Sequence, residues 1–205
     1  MSAVSVDVIP LRMDDLRLTS AAYRREIPPY TGELALPGVL LAAGERIGDA
    51  ARRALTKIGV AADDVTGVGQ VVVFDEPHRD PRGPTLSVVC WAAISDAGSS
   101  EGTWFDIHDA PTLAFDHNAI LAASIPQIAQ RLWRDDDLTR ALTGERFAAS
   151  RAVALTEALT GKAPDRGNLN RQLKAQPSLR ATTERVVARG TGRPGTVWEW
   201  ITPAP

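Results

Sequence analysis

Residues 36–60 read Leu36-Pro37-Gly38-Val39-Leu40-Leu41-Ala42-Ala43-Gly44-Glu45-Arg46-Ile47-Gly48-Asp49-Ala50-Ala51-Arg52-Arg53-Ala54-Leu55-Thr56-Lys57-Ile58-Gly59-Val60. Within it Ile47, Ala50, Ala51, Ala54, Leu55 and Ile58 recur at i, i+3, i+4, i+7, i+8 and i+11. That spacing predicts an amphipathic helix from Arg46 to Ile58 with one buried stripe. Gly59 follows the last periodic residue and suits a left-handed helix end. Upstream, Pro28-Pro29-Tyr30-Thr31-Gly32 reads as a turn, and Val4–Leu11 alternates weakly, as a first or edge strand does.

Downstream, Gln70–Phe74 and Leu86–Ile94 are β-rich apolar runs and read as central strands. Between them lies Pro77-His78-Arg79-Asp80-Pro81-Arg82-Gly83, where Asp80, Pro81 and Gly83 fit a type I turn and a hairpin-like connection. Trp104–Ile107 reads as a short strand. Leu121, Ile125, Ile128 and Leu132 predict a helix over Asn118–Trp133, which Pro126 is expected to kink or to make start later. Asp135-Asp136-Asp137 reads as a boundary, and 138–146 as a linker. Beyond it Phe147–Thr160 reads as a helix stopped by Gly161, and Asp165 as the cap of a second helix reaching about Gln176. Two strands follow, Leu179–Ala188 and Thr196–Trp200, joined by the basic loop Arg189-Gly190-Thr191-Gly192-Arg193-Pro194-Gly195. Helix, helix, strand, basic loop, strand is the order of a winged helix-turn-helix.

Composition narrows the classes. The 205 residues are 44% hydrophobic and 23% charged, close to the globular average and far from a disordered chain. A chain of this length buries roughly 70% of its unfolded surface and needs no disulfides. Its uncharged runs fall short of the about 18 apolar residues of a membrane span. The first residues lack the basic-then-apolar pattern of a signal peptide, so the cytoplasm is the expected location. Cys90, the lone cysteine, sits in an apolar run and reads as a buried thiol. The net charge of −2 conceals an asymmetry: residues 1–140 carry 13 basic and 20 acidic residues, whereas 141–205 carry 10 and 5. A basic segment of this kind points either to a nucleic-acid partner or to a solvated, arginine-rich face.

Gly38, Gly44-Glu45, Ala50-Ala51-Arg52-Arg53, Leu55 and Gly59-Val60 resemble the Nudix box, the helix that lines one face with carboxylates to hold Mg²⁺ or Mn²⁺ against a diphosphate. The departures from that pattern are Val39 for the second opening glycine, Ala54 for the glutamate after the arginine, and Lys57-Ile58 for the Glu-Glu pair. Hard cations need several oxygen ligands, and Glu45 is the carboxylate left in the pattern. It is either a ligand-facing group or a helix-start residue stabilised by the dipole. No metal site, no cofactor and no metal-dependent hydrolysis are therefore expected. Nucleotide binding is still open to such a fold, with Glu45, Arg52, Arg53, Arg79 and Arg82 as candidate effector contacts. Arginine suits the task because its planar fork holds phosphate through two bonds.

Four separated motifs extend the resemblance over about residues 34–200 to the NrtR-type, Nudix-related transcriptional regulators of NAD metabolism. They are the box, the 77–83 segment with Ser87-Val88, Leu113-Ala114-Phe115-Asp116-His117, and Asp165–Leu173 with Gly192–Gly195. Residues 1–30 match poorly, and Ala148 stands where a capping Thr or Ser is expected. The resemblance implies an α/β protein: a Nudix-like α/β/α sandwich with a mixed sheet over 1–140, then a small winged helix-turn-helix over 141–205. It implies a homodimeric repressor that binds a palindromic operator in double-stranded DNA and releases it on binding ADP-ribose or a related nucleotide.

The tail's residues agree with that reading. At 100° per residue from Arg166, Leu169 and Leu173 fall at roughly 300° and 340°, while Lys174, Arg171 and Asn168 fall at roughly 80°, 140° and 200°. Asn170, near roughly 40°, lies beside the apolar stripe. Arginine and asparagine are the residue types that read guanine and adenine edges in a major groove. Arg166, Asn168, Asn170, Arg171, Lys174, Arg189 and Arg193 are thus the candidate DNA contacts, Arg193 at the tip of the wing. The rival readings are an active Nudix hydrolase of ADP-ribose or another nucleoside diphosphate derivative, and a module that only dimerises and binds protein.

Overall fold

A computed structural model describes residues 2–98, 100–186 and 195–201. Strands β1 (Ala3–Asp14), β2 (Arg17–Arg24), β3 (Leu34–Ala35) and β4 (Gly38–Leu40) precede helix α1 (Ile47–Leu55). Then come β5 (Val65–Phe74), β6 (Thr85–Ile94), β7 (Thr103–Asp106), α2 (His117–Arg131) and α3 (Asp136–Thr143). The chain ends with β8 (Arg146–Ala148), α4 (Ala149–Thr160), α5 (Arg166–Ala175), β9 (Leu179–Val186) and β10 (Gly195–Trp200).

Among the described residues the larger sheet runs β3-β2-β1-β6-β5, with β4 added to β1 and β7 to β2. It is mixed: β1 and β6 are parallel while the β5–β6 pair is antiparallel. Alternation along its strands sends Val6 and Val8 to one face, with α1, and Ile9, Leu11 and Met13 to the other, with α2 and α3. Helices on both faces of a mixed sheet are the α/β/α sandwich that the box implied.

Three expectations need correction. Val4–Leu11 belongs to β1, the first strand as expected, but it is central and almost wholly buried, not an edge. The weak alternation arises because β1 is covered on both faces, so both sets of side chains are apolar. Conversely β5 lies at the end of the strand order, so of the two runs expected to be central β6 alone is. Finally, 135–146 is no loose linker. Asp135 accepts a hydrogen bond from the Leu138 amide and caps α3, whose Leu138 and Leu142 are buried. Eight residues present too short a period to be read from sequence.

Other expectations hold. α1 ends in a 3₁₀ turn at Thr56–Ile58, with Gly59 left-handed at φ 68°. Asp80 and Gly83 close the β5–β6 connection through a backbone hydrogen bond of 3.2 Å. Cys90 is buried, which pushes its thiol up to about 11. The helix expected over Asn118–Trp133 is present as α2, but Pro126 does not delay its start: it begins at His117 with Pro126 inside it. The tail has its helix–helix–strand–strand order, although Phe147 belongs to β8 and α4 starts two residues later. β8, β10 and β9 form a three-stranded sheet. The tail is not a separate bead: Phe147, Leu155, Leu173 and Trp198 join one apolar cluster with Ile9, Trp91 and Ile128. Trp133 and Trp200 reinforce this junction by donating to Thr156 and Thr143 at 2.9 and 3.0 Å.

Trp91 fixes how closely α3 approaches the sheet. Its ring lies against Gly67 and Gly69 of β5, where a Cβ on Gly69 would come 2.6 Å from Nε1. A Cβ on Gly67 would meet Ala141 at the same distance. Gly69→Ala should therefore displace the ring and cost about 1–3 kcal/mol, as overpacking does. Urea denaturation checks this, and an unchanged midpoint would show that the ring has room to move.

Candidate functional site

Local sequence places a set of charged groups at one end of the sheet. Asp7 lies on β1, Arg79 in the β5–β6 loop, and Asp116 and His117 at the start of α2. Asp116 makes no side-chain cap bond to its helix. Instead Arg79 donates to both its oxygens, at 2.9 and 2.8 Å, and reaches Asp7 at 3.3 Å. Ser87 also donates to Asp7, at 2.5 Å. The Arg79 side chain is 4% exposed. Burial alone would lower its pKa, but Asp116 and Asp7 outweigh that and raise it.

Asp7, Arg79 and His117 floor a cavity of about 650 Å³, a size suited to a nucleotide-sized ligand. Tyr23, Arg25, Lys57, Arg82 and Phe115 contribute to its walls. Phe115 has φ 59°, a left-handed conformation that costs a bulky residue energy. In return its ring meets Tyr30 edge-on at 4.8 Å and carries the Arg25 guanidinium at 4.7 Å. Arg82 pairs with Asp80, which is buried and held below the usual carboxylate range by that contact.

The five predicted effector contacts divide. Arg79 and Arg82 line the cavity; Glu45, Arg52 and Arg53 do not. Glu45 and Arg53 engage each other at 2.7 and 2.8 Å, and Glu45 also accepts from the Ala42 amide at 2.9 Å. Arg53 and that amide hold Glu45 down at about 2. Arg52 makes a long bond of 3.5 Å to the Val65 carbonyl. The group that the box turn presents to the cavity is Lys57, which donates to the Gly38 carbonyl at 2.5 Å. Among the described residues no three of His, Cys, Asp and Glu are grouped to hold a metal ion. With an ammonium facing the cavity and Glu45 committed to Arg53, this donor set does not fit a divalent cation.

In the tail, α5 buries Leu169 and Leu173 and exposes Arg166, Asn168, Asn170, Arg171 and Lys174. Asp165 caps it through the Asn168 amide at 2.7 Å. Arg171 donates to the Asn168 side chain on the exposed face. Nearby basic residues of the sheet are already paired, Arg146 with Glu184 and Arg180 with Glu199. Arg189 and Arg193 lie outside the described residues.

Sequence reasoning missed Tyr23, Arg25, Asp7, Phe115 and His117 as cavity residues. Phe115 and His117 sat in a motif already singled out. Asp7, Tyr23 and Arg25 sat in the first thirty residues, which matched no pattern, and only β-pairing carries them to the site.

His117 is 4% exposed. Its Nδ1 accepts from the Leu36 amide at 2.9 Å, so the ring's proton sits on Nε2, 3.9 Å from Asp7. Burial lowers its pKa, partly offset by the charges of Asp7 and Asp116. The unfolded chain therefore takes up this proton first, and stability present above about pH 6.5 is lost as pH falls. Melting temperatures between about pH 7.5 and 5.5 should decline in the wild type and decline less in His117→Gln. Parallel curves would show that His117 is not the titrating group.

No family model matches the chain. It is 30% identical over 125 residues to the ADP-ribose pyrophosphatase of Methanocaldococcus jannaschii, an alignment spanning 58% of this chain and 70% of that protein. Its fold matches that of Shewanella oneidensis NrtR complexed with a 27mer DNA, at TM-score 0.77 and 21% identity over 97% of this chain and 93% of the other. The Nudix domain of the same NrtR, complexed with ADP ribose, matches at TM-score 0.52 and 22% identity over 60% of this chain and 86% of the other. The box-like helix α1, the mixed sheet between two helical layers and the pyrophosphatase likeness agree: the chain belongs to the Nudix family and has, over nearly its whole length, the fold of an NrtR-type regulator.

Proposed function

We propose that this protein is a transcriptional regulator, a repressor of NAD-metabolism genes, that binds DNA through residues 141–205 and senses ADP-ribose or a related nucleotide through a non-hydrolytic Nudix domain over 1–140. The observation that carries the reading is α5: a capped helix with two leucines inward and Arg166, Asn168, Asn170, Arg171 and Lys174 outward. It belongs to a fold shared along the chain with a protein crystallised on DNA. Cations of this density neutralise phosphates, and Arg and Asn read base edges. Arg189 and Arg193, which lie in sequence between β9 and β10 and outside the described residues, are proposed to complete the contact as a wing.

The mechanism follows from symmetry and linkage. A homodimer on a palindromic operator places two α5 helices one DNA turn apart, about 34 Å. A nucleotide that binds the cavity better in a dimer with a different spacing lowers DNA affinity by its differential binding, typically about 1–3 kcal/mol. Cytoplasmic location accompanies this function. The likeness to a pyrophosphatase supports a second reading, hydrolysis of ADP-ribose; Lys57 and the Glu45–Arg53 pair argue against it.

Gel-shift titration on operator DNA selected from genomic fragments tests the first reading. Arg171→Ala should cost about 1–3 kcal/mol of affinity, and binding should weaken steeply between about 50 and 200 mM salt. Wild-type binding by Arg171→Ala would misplace the reading helix. ADP-ribose should release the DNA; unchanged affinity would remove the effector role. Formation of AMP and ribose 5-phosphate from ADP-ribose with Mg²⁺ or Mn²⁺ should stay at background, and turnover at an enzymatic rate would favour the hydrolase.

A further inference from the structure

The cations of the 650 Å³ cavity are not equivalent. Arg79 is neutralised by Asp116 and Asp7, and Arg82 by Asp80. Arg25 and Lys57 have no carboxylate partner among the described residues; neutral oxygens and the Phe115 and Tyr23 rings hold them. Arg25 is 7% exposed. Its guanidinium donates to the Pro29 carbonyl at 2.7 Å, the Ile27 carbonyl at 3.1 Å and the Tyr23 hydroxyl at 3.2 Å. Those bonds engage three of the five N–H groups that a guanidinium carries. Lys57 donates to the Gly38 carbonyl and, at 3.3 Å, to the same Tyr23 hydroxyl. With two cations donating to it, that oxygen keeps its own hydrogen to donate.

A desolvated positive charge without a counter-charge is costly, and an anion brought to it removes the cost. We propose that Arg25 and Lys57, joined through Tyr23, are the seat of the ligand's diphosphate, and that protein cations hold it there without a divalent metal. This deepens the nucleotide reading above and rests on it. Lys57 occupies a position of the Glu-Glu pair of the Nudix pattern and donates into the cavity wall at Gly38, so a positive charge is supplied by the chain itself. Arg79 and Arg82, already neutralised, shape the cavity floor and rim rather than supply the attraction.

The test is calorimetric titration of the full chain with ADP-ribose, inorganic pyrophosphate and adenosine, each in EDTA and in Mg²⁺. ADP-ribose and pyrophosphate should bind equally in both buffers, and adenosine much more weakly. Lys57→Met and Arg25→Gln should each weaken ADP-ribose by about ten-fold or more, and Lys57→Arg by no more than roughly three-fold. Lys57 is exposed, so Lys57→Met decides the matter even where Arg25→Gln fails to fold. ADP-ribose binding that requires Mg²⁺, or that Lys57→Met leaves unaltered, overturns the seat while the nucleotide reading stands. Pyrophosphate binding lost in Lys57→Met, with no ADP-ribose binding, keeps the seat and overturns the nucleotide reading. Binding of neither probe overturns both.

Discussion

The contact of Arg79 with Asp7 and Asp116 ties together a central strand, a hairpin loop and the start of a long helix, elements separated by 72 and 37 positions in the chain. All of it is desolvated or nearly so, and breaking such a cluster by removing one member costs about 3–5 kcal/mol, because the others are left charged and buried. The rest of the site inherits its geometry from this knot. Asp7 sits so close to β4 that a Cβ on Gly38 would lie 2.1 Å from its Oδ1. Glycine there lets the strand close over the carboxylate, and the Gly38 carbonyl then receives Lys57. His117, held by the Leu36 amide, fixes β3–β4 against α2.

At the floor of the cavity Arg79 is thus matched by carboxylates and held rigidly. In the wall, which Glu26 and Glu101 also line, Arg25 and Lys57 lack a carboxylate partner among the described residues, a division of labour among residues of one charge. It explains why arginine count alone is a poor guide to ligand contact. Arg53 and Arg79 are engaged by carboxylates of their own chain. Arg25, in a segment without a motif, is the buried cation without such a partner among the described residues.

A second consequence concerns the junction. α3 packs on β5 and β6; Trp133, just before it, bonds to α4, and Thr143, its last residue, to β10. Gln176 and Ser178, which follow α5, return to Asp136 of α3. The helix proposed to read DNA is therefore coupled to the sheet that floors the cavity through packed, hydrogen-bonded contacts instead of a free linker. In the proposed switch, a shift at the cavity has a physical route to α5. The feature that carries this is the Asp135-capped α3, which overlaps the stretch 138–146 whose sequence reads as a linker because eight residues offer only one buried turn.

What the amino-acid order determined by itself was local. Apolar spacing fixed α1, and Gly59 its end; Asp165, Leu169 and Leu173 fixed α5 and which side faces out; Asp80 and Gly83 fixed the hairpin. Each depends on residues within a turn or two of one another, where period and capping are legible. What only the tertiary structure decided was pairing across distance. It made β1 central, matched Arg79 with Asp7 and Asp116, engaged Glu45 with Arg53, and left Arg25 and Lys57 facing a cavity without carboxylate partners among the described residues. Charge complementarity acts through space and carries no sequence period, so which cations are satisfied and which await a ligand emerges only when the sheet brings them together.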